Sequence, residues 1–119
     1  MRELANMKKT VLVCANAAVL CAAMSTGADA QPLSYEHQYC QAMAVVAGMT
    51  VENRYKGHKV EAIDGLAANL VSSKGWPLND SKIIEAVNYG LEGAKNGYPA
   101  GQWAYLLLQT CIVQRWWLD

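Results

Sequence analysis

Phenylalanine is absent from the 119 residues, and proline (three) and histidine (two) are scarce. With so little proline and only nine glycines, no low-complexity linker is present. Neither sign of charge dominates, since ten Lys and Arg balance ten Asp and Glu. That removes the basic excess with which nucleic-acid binders displace counterions from phosphates. His37 and His58 have no partner at metal-ligand spacing, and the H-E-x-x-H, G-x-S-x-G, Walker and dinucleotide patterns are missing. No Cys-x-x-Cys occurs, so neither a thioredoxin-like redox site nor a zinc knuckle is supported. No cofactor and no metal are expected. What the chain does have is apolar material, 53% of its residues, too much for a disordered tail. Its length suits one compact domain.

Part of that apolar content belongs to the first 30 residues. Met7-Lys8-Lys9-Thr10 gives a short positive start, followed by an apolar run from Val11 to Met24 broken only by Asn16. Ala28-Asp29-Ala30 then places small residues at −3 and −1 before Gln31. This is the plan of a cleavable Sec-type signal peptide over 1–30, which predicts a periplasmic or secreted protein. The apolar run is short for a helix crossing roughly 30 Å of hydrocarbon, so no stable membrane insertion is expected after its removal. Leu20 directly before Cys21 does not suit lipoprotein processing. Glu3 adds an acid to a region that should be basic, which makes Met7 an alternative start to Met1.

The remaining domain, residues 31–119, carries seven basic and eight acidic side chains and all ten aromatics. Its cysteines are Cys40 and Cys111, one pair with no leftover thiol. In an exported chain one pair with no leftover thiol predicts a single disulfide.

Four helical segments follow. Ser34 can cap a first helix running to about Tyr55, almost entirely apolar from 42 to 51, with Gly57 as its stop. Val60, Ile63, Leu66, Ala67 and Leu70 form the apolar stripe of a second, which ends at Ser72-Ser73-Lys74-Gly75. Asn79 or Asp80 caps a third, carrying Ile83, Ile84, Val87, Leu91 and Ala94 to a Lys95-Asn96-Gly97 close. Pro99 opens a fourth, with Trp103, Leu106, Leu107 and Thr110 at core spacing and an end near Trp117. The expectation is an all-α, single-domain four-helix bundle. In an up-down-up-down bundle the first and fourth helices are antiparallel neighbours, which brings Cys40 and Cys111 to the same end.

Candidate contact residues come from the aromatic surplus and the helix ends. Trp116 and Trp117 are adjacent on a helix and cannot both face one core; the spacing turns Trp117 inward and leaves Trp116 exposed beside Arg115. Tyr98 before Pro99 is a loop aromatic, and Arg54 can reach carbonyls beyond its own helix. Trp116, Arg115, Tyr98 and Arg54 are therefore the candidate partner-binding residues, because aromatics and Arg anchor interfaces.

Cys40-Gln41-x-x-Ala44, Arg54-x-x-Gly57 and the late Cys111 together resemble a pattern in small exported proteobacterial helical proteins of unknown function. The plan is also similar to periplasmic amidase-immunity proteins of type VI secretion and to small periplasmic acid-stress chaperones, a likeness of architecture alone. The resulting expectation is a non-enzymatic protein that binds another protein, as an inhibitor or immunity factor. The alternative is a hydrophobic-ligand carrier or small chaperone. An enzyme ranks third and would need a carboxylate pair such as Glu52 and Glu61.

Overall fold

The computed structural model describes residues 34–118, so the expected signal peptide over 1–30 lies outside them. Within them four helices follow one another: α1 (Tyr35–Tyr55), α2 (Val60–Lys74), α3 (Asp80–Lys95) and α4 (Ala100–Gln114). A short 3-10 turn, Trp116–Leu118, ends the described chain. The caps behave as their chemistry requires. Ser34 Oγ accepts the His37 amide at 3.2 Å and meets His37 Nδ1 at 2.9 Å, and Asn79 Oδ1 accepts the Lys82 amide at 2.9 Å. Gly75 closes α2 in the left-handed region, at φ 65°.

One boundary differs from expectation. α4 stops at Gln114 rather than Trp117, because Arg115 adopts φ 56° and turns the chain into the 3-10 segment. A left-handed conformation costs a non-glycine residue roughly 1–2 kcal/mol. Here it swings both Trp116 and Trp117 against the core, and burial of two large rings offsets that cost.

The packing is centred on α1. Its buried positions are mostly small or medium, including Ala42, Ala44, Val46, Ala47 and Gly48. α3 runs parallel to it, with Ala47 and Thr50 facing Gly90. α4 runs antiparallel, with Gly48 facing Ala100 and Ala104 at one end and the disulfide at the other. α1 packs most extensively on these two helices, whereas α2 rests more lightly on α1 and α3. A square bundle would put α1 and α3 on a long diagonal; here that diagonal is shortened because glycine and alanine line it. At Gly90 a Cβ would lie 2.5 Å from the Ala47 carbonyl oxygen, a backbone atom that cannot step aside.

The disulfide joins α1 to α4 where the bundle topology requires it. Cys40 and Cys111 are fully buried, with Cα atoms 5.6 Å apart and a sequence separation of 71. Three residues on the expected core stripes turn out differently: Leu66, Ile84 and Leu106 are 45%, 52% and 41% exposed. With α1 occupying the centre, the outer helices have less inward surface to fill than their apolar stripes could cover. Among the described residues no helix is long and apolar enough to cross a membrane.

Gly90→Ala should cost about 1–3 kcal/mol in urea unfolding, because α1 and α3 must separate. Gly65→Ala, on the open face of α2, should be neutral or stabilise by up to about 1 kcal/mol. Reducing the disulfide should remove roughly 4 kcal/mol by the chain-entropy estimate for a loop of this length, read as a lower unfolding midpoint.

Candidate functional site

The four candidate contact residues do not share one surface. Arg54 sits in the last turn of α1 and Tyr98 in the α3–α4 loop, and both lie at the same end of the bundle. The link is the Tyr55 hydroxyl, which donates to the Tyr98 carbonyl at 2.6 Å. Arg115 and Trp116 follow Gln114 at the opposite, disulfide-bearing end. At 1.5 Å per residue, Arg54 lies about 21 Å along α1 from Cys40.

The Arg-x-x-Gly signature is a helix terminus. Arg54 Nη1 donates to the His58 carbonyl at 2.7 Å, while the Gly57 and His58 amides donate to the Arg54 and Asn53 carbonyls at 3.0 Å. The two amide bonds satisfy carbonyls that the end of α1 would otherwise leave open, and the guanidinium holds the loop that follows.

Four of the ten aromatics join α3 to α4 and the turn after it. Trp103 Nε1 donates to the Tyr89 carbonyl at 2.8 Å, and its ring lies flush on Gly93, where a Cβ would come within 2.5 Å. Tyr98 packs on the same indole with ring centres 4.6 Å apart. Trp116 stacks on Tyr89 at 4.8 Å and 11°, and its Nε1 donates to Gln114 Oε1 at 2.9 Å. Trp116 is therefore half-buried like Trp117, not the freely exposed ring of the pair. The helical-wheel argument does not survive the turn at Arg115, which breaks the 100° progression between the two rings. Arg115 and Arg54 are exposed, and Tyr98 is half-buried.

A polar cluster lies between α1 and α3 near the disulfide end. Lys82 Nζ pairs with Glu85 Oε1 at 3.2 Å, and the Tyr89 hydroxyl donates to Glu85 Oε2 at 3.5 Å. The nearby Tyr39 hydroxyl is buried beside the Lys82 ammonium and has no partner at full hydrogen-bond geometry. Burial pushes its pKa up, with the Lys82 charge opposing. The Lys82 ammonium is held above its ordinary value chiefly by its bond to Glu85. Glu52 and Glu61 are both exposed and share no hydrogen bond. Among the described residues no three His, Cys, Asp or Glu side chains cluster to hold a metal ion.

The surface that sequence reasoning passed over is the outer face of α4. From Ala100 to Gln114 there is no charged side chain, yet Tyr105 and Val113 are 61% and 77% exposed. Leu106, Gln102 and Gln109 complete this strip. The signal was present as fifteen consecutive uncharged residues, but attention to the core stripe hid the opposite face. Two open grooves lie elsewhere. One of about 470 Å³ is lined by Arg54, Tyr55, Val60, Leu91, Ala94 and Lys95; another of about 400 Å³ lies between α2 and α3, around Gly65, Ala68 and Ile83.

Tyr39 and Lys82 both favour their protonated forms in the folded chain. Their contribution is thus complete below about pH 10 and is lost as pH rises further. Tyr39→Phe should leave stability at pH 7 nearly unchanged, since the only polar neighbour lost, the Lys82 ammonium, keeps its pairing with Glu85, and should blunt the alkaline fall. Urea unfolding at pH 7 and above pH 10 measures both effects. Comparison of the chain with protein-family models, curated proteins and solved structures gives no match.

Proposed function

We propose that this is an exported, non-enzymatic protein that binds another protein through the outer face of α4, acting as an inhibitor or immunity factor. The observation that carries this reading is the uncharged strip Gln102, Tyr105, Leu106, Gln109 and Val113. A solvent-facing helix ordinarily places charged residues on its outer side. Interface centres do the reverse, losing charge and gaining aromatic and aliphatic contacts. Gln102 and Gln109 supply hydrogen-bonding groups without the desolvation cost of an ion. Arg115, Trp116 and the exposed Leu118 follow the strip in the chain and extend the candidate contact set past the helix end.

A protein partner suits this surface better than a small ligand, because the strip is a convex helix face and not an enclosed cavity. Export is supported by the leader-like segment and by the buried disulfide, which persists in oxidising compartments. The non-enzymatic reading rests on the lack of a catalytic motif in the sequence.

The test uses the oxidised chain as bait in extract from the exported compartment of its source cells. Wild type should retain a discrete partner, and Tyr105→Glu or Val113→Lys should weaken that complex by about 30-fold or more, equivalent to roughly 2 kcal/mol. Neither change should alter the unfolding midpoint, because both side chains are exposed. Failure to retain any protein, or undiminished binding by both variants, would overturn the reading.

A further inference from the structure

We infer that the groove where α1, α2 and α3 meet binds an amphipathic carboxylate, a medium-chain fatty acid. The site is separate from the α4 strip, and each can fail without the other. Its floor is aliphatic, made by Val60, Leu91 and Ala94, and its volume of about 470 Å³ falls in the range of small-molecule sites. Arg54 and Lys95 bring two cations to that apolar floor. Neither forms an ion pair among the described residues, where the Lys82–Glu85 pair stands alone. Arg54 spends one donor on the His58 carbonyl, which fixes the guanidinium at the groove and leaves its other N–H groups to a ligand. Val60 is also the first residue of α2, whose N-terminal amides receive no capping side chain. The positive end of α2 offsets part of the negative C-terminal ends of α1 and α3 at this groove, so the cationic character rests on Arg54 and Lys95.

An anion with an apolar tail complements this combination of charge and floor. A fatty acid fits better than a peptide segment for a backbone reason. The groove is built from helix ends, whose open groups are a few amides at the start of α2. They are not the alternating N–H and C=O row that an extended chain would pair with, and open amides suit a carboxylate. An alkyl tail has no polar group to satisfy.

Decanoate, decylamine and decanol, each below its aggregation threshold, are titrated into the oxidised chain and followed by amide chemical shifts. Decanoate should bind saturably below about 1 mM, with shifts centred on Val60, Leu91 and Ala94, while the amine and the alcohol bind at least tenfold more weakly. Arg54→Gln and Lys95→Gln should each weaken decanoate by about fivefold or more. The exposed Lys95 side chain makes no hydrogen bond or ion pair among the described residues, so its variant keeps the fold and tests charge alone. Tyr105→Glu should bind decanoate as wild type does, which separates this site from the α4 surface. Equal binding of the three amphiphiles, unchanged binding by Lys95→Gln, or shifts confined to α4 would overturn the inference.

Discussion

The close approach of α1 to α3 and α4 is the constraint on which the rest of the molecule depends. Ala47 and Gly90 remove the side chains that would hold α1 and α3 apart, and Gly48 does the same opposite Ala100 and Ala104. Backbone contact on two sides leaves α1 almost without solvent exposure through its middle turns. The small residues also explain why a chain with no phenylalanine can close its core. Tight backbone packing gathers dispersion contacts that bulky side chains would otherwise have to supply.

With α1 wedged in the centre, α3 and α4 meet along a seam that needs filling. Tryptophan and tyrosine fill it: Trp103 on Gly93, Tyr98 on Trp103, and Trp116 on Tyr89. Each indole N–H in this seam has an acceptor, so the large rings bury their area without stranding a donor. The disulfide fixes the far end of the α1–α4 contact, and the Tyr55–Tyr98 hydrogen bond ties the other end. Both ends are thus cross-linked, one covalently and one by a short hydrogen bond.

Two surfaces remain outside this scheme of internal satisfaction. The α4 strip exposes apolar groups without charge, and the groove beside Arg54 and Lys95 pairs cations with an aliphatic floor. Their chemistries differ, and so do the partners proposed for them: a protein face for the first, an amphipathic anion for the second. Their separation allows one molecule to hold both without competition for the same residues.

Helix number, type and most boundaries were readable from the chain, because caps such as Ser34 and Asn79 and stops such as Gly57 and Gly75 act over three or four residues. The Cys40–Cys111 bond was readable too, since residues 31–119 hold two cysteines and an antiparallel pairing of first and last helices brings them to one end. The fate of the aromatics was not. Whether Trp116 is exposed depends on the left-handed turn at Arg115, which no local preference of arginine signals and which burial of the rings maintains. Nor could the sequence say that Arg54 and Trp116 lie at opposite ends, or that Arg54 shares a groove with Lys95, because those relations join residues on different helices. Short-range hydrogen bonding wrote the helices into the sequence, whereas the surfaces left for partners were decided by how closely glycine and alanine let those helices approach.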